Sequence, residues 1–115
     1  MATAEECRTA LESLTGRITS MDPKLREAKL IDRTLSCRVR DLGVTFLTRL
    51  SPDGAEPVKE VPDGQGSQAQ IRFTASSDDV VAIAADPGSF ARAWMSGRLK
   101  VEGNFLDLLH LRRLL

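Results

Sequence analysis

Residues Phe90–Leu115, FARAWMSGRLKVEGNFLDLLHLRRLL, carry the clearest sequence logic in the chain. Asp86-Pro87 just upstream opens a helix, with the carboxylate as N-cap and proline at the first helical position, where its missing N–H costs nothing. Phe90, Ala93 and Trp94 then share one face at i, i+3 and i+4. Gly97 stops that helix, because glycine takes the left-handed C-terminal cap without strain. Arg98 to Glu102 reads as a strand, with Leu99 and Val101 on one side and Arg98, Lys100 and Glu102 on the other. Gly103 ends the strand. Asn104 caps a last helix, in which Asp107 falls at a first-turn position that suits the helix dipole.

The last helix is unusually greasy. At 100° per residue, Leu111, Leu115, Leu108, Phe105 and Leu109 span an arc of roughly 160°, and Leu106 and Leu114 lie outside it. Packing on one sheet face needs a narrower stripe. Two readings account for the excess: deep burial or a dimer seam, or a helix that walls or closes an apolar cavity. Pattern alone favours the first.

The order helix, Ser96-Gly97-Arg98-Leu99-Lys100-Val101-Glu102-Gly103, apolar closing helix resembles the end of the sterol carrier protein 2 family. The resemblance runs more loosely upstream to about residue 33. It implies an α/β domain with a helix-covered sheet and an apolar tunnel that binds lipid. On that resemblance, the tunnel-facing residues are Phe90, Trp94, Leu99, Val101, Phe105, Leu108 and Leu109. The family's site is a shape rather than a catalytic motif, so no polar role carries over with it.

The chain has 115 residues, 42% hydrophobic and 28% charged, which fits one soluble domain over residues 1–115 with a core of its own. Sixteen basic residues balance sixteen acidic ones. That balance argues against nucleic acid as the main partner, since phosphate neutralisation needs a basic excess or stripe. No apolar run reaches membrane-spanning length, and MATAEECRTA lacks the basic-then-apolar pattern of a signal peptide. The last residues, Arg113-Leu114-Leu115, do not match the S-K-L peroxisomal address. A cytoplasmic protein is the expectation. Cys7 and Cys37 then stay reduced and serve as small apolar filler, with a disulfide as the lesser alternative.

Residues 3 to 21 read as a first helix. Thr3 caps it, Glu6 completes a capping box, and Cys7, Leu11, Leu14, Ile18 and Met21 form one stripe of ordinary core packing. Gly16 weakens its interior, where the helix could break. Asp22-Pro23 marks a turn or fresh cap, with a short helix from Lys24 to Leu30. Strands follow by alternation: Thr34–Val39, then Val44 to Leu50 beyond the Asp41-Leu42-Gly43 turn. Ser51-Pro52-Asp53-Gly54 is a turn with a mechanism, proline presetting the backbone and glycine supplying positive φ. A third strand over Val58–Val61 lies between Pro57 and Pro62, which suggests an edge. After the Asp63-Gly64-Gln65-Gly66 loop, Ala69, Ile71 and Phe73 alternate in a fourth strand. Ser76 caps a further helix, with Asp79 at capping-box spacing and Val80, Ile83 and Ala84 on its apolar side. The fold class is α+β: a mostly antiparallel five-stranded sheet, its first strands in a meander, with helices packed on one face.

The search for chemistry is mostly negative. His110 lies between leucines without a carboxylate orienter or nucleophile at recognisable spacing, so it reads as a surface or cavity-rim residue. Asp78-Asp79 and Glu5-Glu6 compensate helix dipoles. The Asp63–Gly66 loop lacks the lysine and the strand–loop–helix context of a phosphate loop. Arg112-Arg113 suits a helix C-terminus, or an anionic head group near a tunnel mouth. No catalytic residue, metal site or cofactor is expected. With an aromatic content of 4% and no tyrosine, the composition suits flexible aliphatic ligands better than flat polar ones. The resulting expectation is a non-catalytic binding and transfer protein for a fatty acid, fatty acyl-CoA or sterol-like lipid. Its tunnel would be gated by the C-terminal helix, and transient membrane contact would serve release. The alternative is an interaction module of the same fold, its cavity filled and the last helix serving as a homodimer seam.

Overall fold

The computed structural model describes residues 1–20, 22–24, 32–62 and 68–114, with side chains of the last helix described through Leu109. The expected helix over Lys24–Leu30, Met21 of the first stripe and the Asp63–Gly66 loop lie largely or wholly outside the described residues.

Helix α1 spans Ala4–Thr19. The capping box forms as the sequence predicts: the Glu6 N–H donates to Thr3 Oγ1 at 3.1 Å, and the Thr3 N–H donates to Glu6 Oε1 at 3.0 Å. Gly16 does not break the helix, which continues three residues beyond it. Strands β1 (Arg33–Val39), β2 (Val44–Ser51), β3 (Gly54–Ala55) and β4 (Lys59–Pro62) follow. β1 and β2 pair antiparallel, and both β3 and β4 pair antiparallel with the outer side of β2. The two prolines flanking the third strand do mark an edge: Pro62 ends β4, and Pro57 lies in the break between β3 and β4.

β5 (Ile71–Ala75) departs from the meander. It pairs parallel with β1, on the side away from β2, so the sheet is mixed and runs β3-β2-β1-β5-β6 with β4 beside β2. The physical reason is room. β3 and β4 occupy the outer edge of β2, and the free hydrogen-bonding edge left to β5 is that of β1. Alternation along a strand fixes which side chains face inward, but not which edge the strand joins.

Helix α2 (Ser77–Ala85) begins as expected, the Asp79 N–H donating to Ser76 Oγ at 3.2 Å. Asp86 gives no side-chain cap. Pro87–Ser89 instead forms a 3-10 turn, closed by the Ser89 N–H and hydroxyl on the Asp86 carbonyl, and helix α3 spans Phe90–Met95. Gly97 ends α3 at φ 83°, and its N–H donates to the Trp94 carbonyl at 3.2 Å. β6 (Lys100–Gly103) pairs antiparallel with β5 at the other edge. A Cβ at Gly103 would lie 2.9 Å from the Gln70 carbonyl oxygen, so any larger residue would push β6 away from the start of β5. Helix α4 (Phe105–Leu114) starts with the Leu106 N–H donating to Asn104 Oδ1 at 2.8 Å.

Register fixes the two faces of the sheet. Phe46, Cys37, Phe73 and Val101 lie opposite one another across β2, β1, β5 and β6, with Val44, Val39 and Ala75 in the next row. This is the face that α1, α2 and α3 cover, with Cys7, Ala10, Val80, Ile83, Ala84, Ala93 and Leu99 buried against it. Helices on one face of the sheet are what the α+β reading requires.

Candidate functional site

Between this sheet face and the helices lies a cavity of about 400 Å³. Its floor is Leu35, Cys37, Phe46, Thr48, Phe73 and Ala75. Its roof is Leu11, Leu14 and Ile18 of α1 with Val80 and Ile83 of α2. Leu50 and Val58 stand at one side, and Pro87, Phe90 and Leu99 at the other. The lining is almost wholly apolar, and its volume falls in the range of roughly 300–1,000 Å³ typical of small-molecule sites.

The void follows from the sequence. α1 faces the sheet through Leu11, Leu14 and Ile18, which stay half-buried rather than sinking into the core. Cys7 and Ala10, nearer its start, are buried, so α1 is held down at one end and leaves space under the other. Thr48 and Ala75 are small residues where larger ones would fill the gap. At the far wall, aromatic rings chain edge to face: Phe73 to Phe90 at 5.9 Å and 77°, then Phe90 to Trp94 at 6.1 Å and 85°. Such contacts add rigidity beyond area burial.

Polar residues are few, Ser36 and Thr48 on the strands and Thr15 and Arg17 on α1. Thr15 and Arg17 of α1 line the cavity, and Arg17 is otherwise exposed. Cys37, on the floor, is free, as is Cys7. Burial, and secondarily the neighbouring Cys7, pushes the Cys37 thiol up to about 12. Neither cysteine is a poised nucleophile. Among the described residues no group of three His, Cys, Asp or Glu side chains is arranged to hold a metal ion.

The residues expected to face a tunnel separate into groups. Phe90 and Leu99 line the cavity. Trp94 packs behind Phe90, and Val101 is half-buried opposite Phe73 on β6. On α4, Leu108 and Leu109 are half-buried, whereas Phe105 is 73% exposed. Asp107 does more than answer the helix dipole. It is 7% exposed, and Arg33 Nε donates to its Oδ1 at 2.9 Å, tying α4 to the start of β1. The side chains of His110, Leu111, Arg112, Arg113, Leu114 and Leu115 lie outside the described set. Sequence reading passed over the α1 and β-strand wall and Arg17. Leu11, Leu14 and Ile18 carry the same spacing whether they fill a core or roof a void.

A family model described as the SCP-2 sterol transfer family matches residues 3–115. The chain belongs to the SCP-2 sterol transfer family. The match extends the resemblance read near the C-terminus back to α1, so the helix that roofs the cavity is part of the family pattern. Solved structures share the SCP-2 fold at low identity. A crystal structure of sterol carrier protein 2 is 15% identical, with TM-score 0.65, and the alignment covers 88% of this chain and 82% of that one. The solution structure of palmitated SCP2L2 from Aedes aegypti is 16% identical, with TM-score 0.65, and covers 98% and 94%. UbiJ-SCP2, a ubiquinone synthesis protein, is 18% identical, with TM-score 0.57, and covers 96% and 89%. No curated protein matches the chain. SCP-2 membership points to lipid binding and transfer, generally by a non-catalytic fold. No helix among the described residues is long and apolar enough to cross a membrane.

Proposed function

We propose that residues 1–115 form one lipid-carrying domain, which holds the aliphatic chain of a fatty acid or fatty acyl ester in the cavity and hands it to a membrane or an acceptor protein. The single observation that carries this reading is the apolar void of about 400 Å³ between α1, α2 and the sheet. An interaction module of this fold would fill that space with its own side chains. Arg17, an exposed residue that also lines the cavity, favours a ligand with an anionic end over a wholly neutral sterol, because a guanidinium within reach of the opening can meet a carboxylate or phosphate that stays partly hydrated. Burial drives the affinity. Each enclosed methylene contributes about 0.8 kcal/mol, so ten contribute about 8 kcal/mol before ordering costs.

Phe90 and Leu99 touch the chain directly, with Trp94 and Val101 supporting them from behind. Phe105, Leu108 and Leu109 meet the ligand only as α4 swings across the opening, which makes α4 the gate. The protein acts in the cytoplasm as a passive carrier without a catalytic step. Native mass spectrometry of gently purified protein tests the reading: a bound species of lipid mass is expected, and Leu14→Trp, which places an indole in the void, reduces its occupancy at least tenfold. Bare protein together with a tight dimer would transfer the argument to the interaction module.

A further inference from the structure

A second hollow lies on the roof layer, a groove of about 490 Å³ between α1 and α2. Its α2 side is small and apolar: Val81, Ala84 and Ala85. Its α1 side is a polar row, Glu5, Thr9, Ser13 and Arg17, with Glu6 beside Glu5. The row follows from spacing. Residues four apart on a helix share a face, so these four climb α1 in steps of about 6 Å. The cavity stripe of Leu11, Leu14 and Ile18 lies on the adjoining face, Leu14 being about 60° round the helix from Arg17. α2 divides in the same way: Val80 and Ile83 line the cavity, while Val81, Ala84 and Ala85 line the groove. Glu5, Thr9, Ser13 and Arg17 are exposed, and none of the four side chains has a hydrogen bond or an ion pair with another described residue.

Arg17 lines both the groove and the cavity, so the two spaces meet at this residue. An amphiphile whose chain fills the cavity can therefore lay its head in the groove. Size limits that head. A protein cavity of about 150 Å³ accommodates benzene, about 25 Å³ per carbon, so the cavity takes about sixteen non-hydrogen atoms and the groove about twenty. One aliphatic chain and a compact head such as phosphocholine fit these limits, whereas the head of a coenzyme A ester, with about fifty such atoms, does not. Charge limits it further. The row has its cation where groove and cavity meet, and its carboxylates at Glu5 and Glu6, about 16–18 Å away at the start of α1. An anion beside the chain is attracted to Arg17, but further anions beyond it approach Glu5 and Glu6 and are repelled. An amine or quaternary ammonium in that position is attracted instead. Thr9 and Ser13 lie between the two ends and offer hydroxyls to ester and phosphate oxygens.

We infer that the α1–α2 groove is a head-group subsite, and that it selects single-chain lipids with a compact zwitterionic head, anion next to the chain and amine beyond it, over the polyanionic heads of coenzyme A esters. The inference rests on the carrier reading and deepens it: the cavity sets the chain, and the row on α1 sets the head.

Titration calorimetry on the delipidated full chain tests this, with lauroyl lysophosphatidylcholine, lauroyl-coenzyme A and laurate, each below its micelle concentration. The lysophosphatidylcholine is expected to bind more tightly than the coenzyme A ester. Glu5 is the position to vary, because the Glu6 carboxylate also caps α1. Exposed charge pairs contribute up to about fivefold, so Glu5→Gln lowers the ratio of the two affinities by about two- to fivefold, and Glu5→Lys by more. Arg17→Gln weakens both lysophosphatidylcholine and laurate. An unchanged ratio in the folded Glu5 variants overturns the proposal, as does tighter binding of the coenzyme A ester by the native chain. In either case, saturable binding of laurate by the native chain keeps the carrier and removes the subsite alone. No saturable binding of any of the three removes the carrier and the subsite with it.

Discussion

Cys37 shows how one residue reports on the cavity. It sits between Phe46 and Phe73 in the central inward row and lines the void, and burial raises its thiol to about 12. In the unfolded chain a thiol titrates near 8.5. Above that pH the unfolded state loses a proton that the folded state keeps, so stability falls as pH rises, and the contribution is fully present only below about 8.5. Urea unfolding between pH 8 and 10 should show a loss of up to about 1.4 kcal/mol per pH unit from this group. Cys37→Ala removes that part of the slope and leaves the part due to Cys7, whose thiol burial also raises. An identical slope in the variant would mean that the floor is wetter than the structure implies. The sequence revealed Cys37 as a small apolar residue on an inward strand face, but it carried no sign that the space above it was empty.

Among the elements, α4 is the one whose attachment can be tuned. Its described tie to the sheet is the Arg33–Asp107 pair, in which the carboxylate is nearly buried and the guanidinium about one-third exposed. Arg33→Ala leaves that carboxylate without its partner, and breaking such a pair costs about 3 kcal/mol. If α4 is the gate, the variant releases a preloaded fluorescent fatty acid faster, by tenfold or more in stopped-flow dilution. An unchanged release rate in a folded Arg33→Ala protein would show that ligand leaves by another route. Element boundaries were legible because they rest on local chemistry: the Thr3–Glu6 box, the Ser76 cap, Gly97 and Asn104 each act within a few residues of their own position. The strand partners of β5 were not. Its parallel pairing with β1 depends on which edge remains free after β3 and β4 have filled the other, a tertiary fact with no trace in the alternation of Ile71, Phe73 and Ala75. The Arg33–Asp107 pair is equally silent in sequence, since its partners lie 74 residues apart.

At the scale of the whole molecule, a neutral composition conceals two opposed layers and a hollow between them. Net charge balanced the whole chain without showing that Glu5, Glu6 and Arg17 share one groove. Hydrophobic content likewise counted the side chains available for a core without showing that they enclose about 400 Å³ of space. The C-terminal pattern named the right family; the wide apolar arc of the last helix raised a cavity as one of two readings, and the family resemblance favoured it. The central claim is that this hollow holds an aliphatic chain, and the measurement that tests it most directly is the dissociation constant of saturated fatty acids as a function of chain length, taken by titration calorimetry on delipidated protein. The account predicts one site per chain, a negative heat-capacity change, and affinity rising about fourfold per methylene until the cavity is full, then levelling off. Affinity independent of chain length, or no saturable binding at all, would contradict it.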